Sequence, residues 1–168
     1  SINIRKATSS DASFLAQMIL QSTRADKKIG IYDVIFKTDN DKDVLNYLEK
    51  LTNTEAKSSC HYSNFLIAEI DGKSVGSLCT YEPRIATKEV FLKALDEIGI
   101  DGEDSEYLGL MDICGFIPNN RTLVFDYMEE LEGFMDVGVL KALMHKSLLN
   151  ARLKGYRIAQ TIVEIGSL

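Results

Sequence analysis

The chain has 168 residues, 45% of them apolar, a net charge of −6 and three cysteines, which bounds it to one domain able to bury a core. The acidic balance argues against a nucleic-acid surface, which needs clustered Lys and Arg. No apolar run approaches the roughly 20 residues of a membrane span, and the opening residues SINIRKATSS do not form a signal peptide. Cys60, Cys79 and Cys114 are odd in number and lack a CxxC spacing, so reduced thiols in a cytoplasmic protein are expected and a zinc site is not.

In chain order, Ile2 and Ile4 alternate with polar residues as a short strand. Thr8-Ser9-Ser10-Asp11 is a capping signal, followed by a first helix with Phe14, Leu15, Met18 and Ile19 on its buried stripe. The segment 25–40 is less regular, with Tyr32 and Phe36 among polar residues. Asp41 to Ala56 predicts a helix buried through Val44, Leu45, Leu48 and Leu51. Phe65–Ile70 and Ser74–Tyr81 are strand runs joined by Asp71-Gly72, the dipeptide of a tight hairpin, and Pro83 ends the second. Thr87–Ile98 has helical spacing, with Cys79 expected in the core before it. Leu108–Phe116 is compatible with a short helix or a strand. No repeat or linker divides the chain, so residues 1–168 are expected to form a single domain.

The stretch Leu123–Gly155 carries the most information. An apolar run, Leu123–Met128, leads through an acidic turn and Gly133 to Gly138. A helix with the stripe Val137, Leu140, Met144, Leu148 and Ala151 follows; Gly155 stops it and Tyr156–Ile165 resumes as a strand. This is a βαβ unit whose helix starts with free backbone N–H groups and a positive dipole end, a place that binds anions and phosphates above all. The plain alternative is that Gly133 and Gly138 only shape the turn. Asp126 interrupts the apolar run and is either a functional acid or a residue on a solvent face. His61 and His145 have no visible link to each other or to the cysteines, so no metal site is expected.

This order of elements resembles the GNAT superfamily of N-acetyltransferases. INIRKATSSD at Ile2–Asp11 looks like the family's opening strand and helix start. FLIAEIDGKSVGSLCTY at Phe65–Tyr81 looks like its central hairpin, and the segment 25–64 like its variable helical region. GFMDVGVLKAL at Gly133–Leu143 lies without gaps on the family's pyrophosphate loop, usually Arg/Gln-x-x-Gly-x-Gly/Ala. Gly138 falls on the first glycine, while Met135 stands in place of Arg or Gln and Leu140 in place of the second Gly or Ala. Family members continue past the strand that follows the loop helix, with an Asn that contacts the cofactor and a Tyr that protonates the leaving thiolate. A domain shortened at its C-terminus is therefore expected.

The resemblance implies an α/β fold, a mixed and largely antiparallel sheet flanked by helices, with a helical insertion. It implies acetyl-CoA as co-substrate, its pyrophosphate on the backbone of Met135, Asp136, Val137, Gly138, Val139 and Leu140. Its pantetheine arm would run beside Met128, Glu129 and Glu130. The acceptor would be an amine of a small molecule or a protein. Asp126, Glu129 and Glu130 are the candidate bases, since a carboxylate can deprotonate an ammonium through water. Tyr81, Tyr107, Tyr127 and Tyr156 are candidate acids, with packing as their ordinary role. Glu129 and Glu130, near a strand end, read by default as a solvated turn. The alternative function is a GNAT-like CoA-binding or protein-interaction module that has lost catalysis. The apolar row Ala159, Val163 and Ile165 on an exposed edge strand would favour a homodimer.

Overall fold

A computed structural model describes residues 1–24, 29–102, 122–156 and 158–161. Five strands form one sheet in the order β1 (Ile2–Lys6), β2 (Phe65–Ile70), β3 (Lys73–Tyr81), β4 (Thr122–Glu130) and β5 (Ile158–Thr161). The first three pairings are antiparallel and β4–β5 is parallel, as a βαβ unit requires. The hairpin turns at Asp71 and Gly72, both with positive φ (52° and 77°), the turn that Asp-Gly favours.

Alternation along β2 divides the core. Phe65 and Ile67 face one layer, Leu66 and Ala68 the other. The first layer is built from α1 (Ala12–Arg24), α2 (Ile31–Phe36), α3 (Asp41–Leu51) and α4 (Lys88–Glu97). Leu15, Met18 and Ile19 are fully buried on α1, and Val44, Leu48 and Leu51 on α3, as the helical spacing predicts. Thr8 and Asp11 fulfil the capping signal, the Thr8 N–H donating to the Asp11 carboxylate at 2.7 Å. Asn40 caps α3 and Thr87 caps α4 through their side chains. The irregular stretch around Tyr32 contains the short helix α2, whose Tyr32, Ile35 and Phe36 are buried. Its six residues are too few for a periodic signal; packing against α1 and α3 decides it.

The second layer is α5 (Val139–Leu153), which packs on β1 to β4. Here the expected stripe is corrected. Val137 lies before the helix and is 51% exposed, and Leu148 is 46% exposed. The buried positions are Val139, Leu143, Ser147 and Ala151, with Leu140 and Met144 at the margin. A face wide enough to cover a sheet includes small and polar residues, so hydrophobicity alone misplaces its centre by a residue or two. Gly155 ends the helix with φ of 84°, and the Tyr156 N–H closes onto the Ala151 carbonyl at 3.0 Å. Cys114, Tyr107, the run Leu108–Phe116 and the edge residues Val163 and Ile165 lie outside the described residues.

Candidate functional site

Strand β4 is irregular where it matters. Asp126 lies opposite Cys79 and Glu129 opposite Ser77, so β4 carries one residue more than β3 between them. The bulge is made by Tyr127, whose φ is 47°. A left-handed conformation costs a non-glycine residue about 1–2 kcal/mol, so the surroundings must hold it. They do so on every side. The Tyr127 N–H donates to Asp126 Oδ1 at 2.7 Å, and its carbonyl accepts from Ser77 Oγ at 3.2 Å. Its hydroxyl is 2.6 Å from the Tyr32 hydroxyl, which in turn lies 2.9 Å from Cys60 Sγ, and its ring stacks on Phe65. Burial pushes the Cys60 thiol up to about 11 and lifts Tyr127 and Cys79 well above their ordinary values, so all three keep their protons.

Tyr127 as an acid for a departing thiolate is therefore corrected: its hydroxyl is committed inside the core. Tyr156 is occupied by a hydrogen bond to the Glu82 carboxylate. Tyr81 is half-buried at the end of β3.

Beyond the bulge the two glutamates diverge. Glu129 is half-buried, and its Oε1 accepts from Gln21 Nε2 of α1 at 2.7 Å; the same amide reaches the Glu130 carbonyl at 2.9 Å. Glu130 is only 9% exposed, and its Oε2 has no partner among the described residues. Burial, reinforced by the charge of Asp136, raises the Glu130 carboxyl above its usual range. The default of a solvated turn is thus corrected for both. Asp126 is half-buried, and its Oδ1 accepts the Tyr127 N–H and so holds the bulge. Nothing in the local sequence marks Gln21; a polar residue on the first helix gains its meaning only from β4 packing against it.

The strand leads into the loop before α5. Gly138 is the residue before the helix, at φ 83° and ψ 24°, and a Cβ there would meet nothing within 4 Å. Its carbonyl accepts the Ala142 N–H at 3.0 Å. No side chain caps the start of α5, and its first turn carries no acidic side chain. Leu140 packs partly into the layer between α5 and the sheet. Met135 is 70% exposed, Asp136 and Val137 are exposed, and Met128 packs partly into the α5 layer. The end of β4, with its carboxylates, and the start of α5 are joined by the loop 131–138. No group of three or more metal-ligating side chains occurs among the described residues, and none of their helices is long and apolar enough to cross a membrane.

No family profile and no curated protein matches the sequence. Solved structures do. One is an acetyltransferase with a TM-score of 0.66 at 19% identity, covering 92% of this chain and 76% of that one. A second is an N-acetyltransferase from Staphylococcus aureus Mu50, at 0.57 and 14%, covering 88% and 75%. A third is a ribosomal-protein-alanine N-acetyltransferase from Brucella melitensis biovar Abortus 2308, at 0.50 and 14%, covering 97% and 80%. Identities this low speak to architecture alone. With its bulged β4 and the βαβ unit that follows, the chain has the fold of the GNAT superfamily of N-acetyltransferases.

Proposed function

We propose that the chain is an acetyl-CoA-dependent N-acetyltransferase acting on an amine of a small molecule or a protein, in the cytoplasm. The observation that carries this is the pairing of a β4 bulge with an uncapped α5 start, in a fold shared with acetyltransferases. In this reading the amides at the start of α5, from Gly138 on, would face the pyrophosphate with the positive end of the helix dipole behind them. The loop residues Met135, Asp136 and Val137 would flank it. The arm of the cofactor would pass beside Met128, Glu129 and Glu130.

Glu129 is the base in this reading, with Gln21 fixing its carboxylate. It takes a proton from the acceptor ammonium, the freed nitrogen attacks the thioester carbonyl, the carbon–sulfur bond breaks as the carbon–nitrogen bond forms, and the second nitrogen proton passes to the expelled thiolate, which leaves as free thiol. Asp126 keeps the bulge in shape. Glu130, whose carboxyl is raised by burial and by the charge of Asp136, is more basic than an ordinary carboxylate and is the alternative base.

Two measurements test the reading. Gly138→Val introduces a branched side chain into the open space over the amides, so CoA affinity falls by at least about tenfold while folding loses only about 1–2 kcal/mol. Glu129→Gln slows release of free thiol from acetyl-CoA with an amine panel by about 100-fold and spares CoA affinity. If CoA at saturation leaves the melting temperature unmoved, the reading is wrong.

A second reading is a module that holds CoA or a protein without turnover. It is favoured by Met135 in place of Arg or Gln and by Glu132 and Asp136, which put negative charge beside the anion seat. CoA binding without thiol release for any amine decides for it.

A further inference from the structure

At the opposite end of α5 from Gly138, roughly 20 Å along the helix, lies a cavity of about 310 Å³ that shares no residue with the loop before α5. Its interior includes Ser147, which is 3% exposed and whose Oγ has no hydrogen-bond partner among the described residues. A serine on a helix ordinarily returns its hydroxyl to a carbonyl one turn back. Ser147 does not, and a buried hydroxyl left unpaired is costly unless something else meets it. The walls beside it are apolar, from Leu66, Leu123 and Ala151.

The mouth has the opposite character. Lys6, Lys57 and Lys154 line it, all exposed, on a chain whose net charge is −6. Glu82 is the one carboxylate among the described lining residues, and it accepts the Tyr156 hydroxyl. Tyr156, pushed up to about 12 chiefly by burial, remains a donor to it at physiological pH. Lys154 follows Ser147 by seven residues, two turns along the same helix face, so a ligand spanning both runs roughly 10 Å along α5.

We propose that this cavity binds a small oxo- or hydroxy-carboxylate. The carboxylate lies among the three lysines, the short aliphatic body lies on Leu66 and Leu123, and the inner oxygen accepts a hydrogen bond from the Ser147 hydroxyl. The volume is at the lower end of small-molecule sites, which limits the ligand to a compact one.

The test uses three probes followed by backbone amide chemical shifts on the full chain. These are 4-oxopentanoate, pentanoate (which lacks the inner oxygen) and 2-pentanone (which lacks the charge). Saturable shifts at Ser147, Ala151 and Leu123 are expected with 4-oxopentanoate, about threefold weaker binding with pentanoate, and about tenfold weaker binding with 2-pentanone. Ser147→Ala abolishes the difference between the two carboxylates. Lys57→Glu with Lys154→Glu, both exposed positions, weakens each carboxylate by about tenfold and leaves 2-pentanone unchanged. The proposal is overturned if 4-oxopentanoate gives no saturation up to about 20 mM, if the ketone binds as well as the carboxylates, or if either variant leaves the ranking intact. The shifts are read without CoA or acetyl transfer, so the outcome is independent of the transferase reading.

Discussion

Tyr127 shows how much a single backbone angle can demand. Its left-handed conformation persists because three separate groups, Asp126, Ser77 and Tyr32, bind its N–H, carbonyl and hydroxyl. Removing the hydroxyl leaves Tyr32 with one partner fewer inside the core. Tyr127→Phe and Tyr32→Phe are each expected to cost about 1 kcal/mol in urea unfolding. Because the two share one hydrogen bond, the double variant should lose less than the sum, and strict additivity would mean that the bond contributes nothing. Glu130 offers a second residue-scale check. Its folded pKa is raised by burial first and Asp136 second, so the folded chain keeps a proton that the unfolded chain loses near the ordinary value of 4.5. The favourable contribution is complete below that value and is lost as the pH rises through the folded pKa. Glu130→Gln removes the penalty. The variant should melt above the parent at pH 7, and the two curves should converge below about pH 4.

At the scale of elements, the contact of α5 with β3 depends on Gly76. A Cβ there would stand 2.5 Å from Val139 Cγ1 and 3.1 Å from the Glu129 carbonyl. Val139 is stiff at χ1 and fully buried, so it cannot swing aside. Gly76→Ala should therefore cost about 2 kcal/mol and shift α5 away from the sheet, readable as lost hydrogen-exchange protection in α5. A neutral effect would mean that the layer is looser than its contacts imply. The Val-Gly step at Val75-Gly76 was visible in the hairpin motif, but its reason was not: only the docked helix explains why a side chain is excluded. The same holds for α5. Its length and its stop at Gly155 were legible from spacing, whereas the identity of its buried face was not, because Ser147 faces inward and Leu148 outward.

For the molecule as a whole, the layer of α1 to α4 seals both described thiols. Cys60 and Cys79 are fully buried in one cluster, with thiol pKa values raised by the lack of water around the sulfur. An alkylating reagent at pH 8 should therefore modify both at one common, slow rate set by global opening, measured peptide by peptide by mass spectrometry. Faster modification of Cys60 alone would reveal local opening near α2. The sequence by itself determined the strands, the hairpin turn, the helix caps and the βαβ order, because those follow from side-chain periodicity and local backbone preference. Only the tertiary structure decided the bulge at Tyr127, the grip of Gln21 on Glu129, the burial of Glu130 and the lysine-rimmed cavity at Ser147. Each of these joins residues far apart in the chain, and neither spacing nor propensity encodes which distant surfaces will meet.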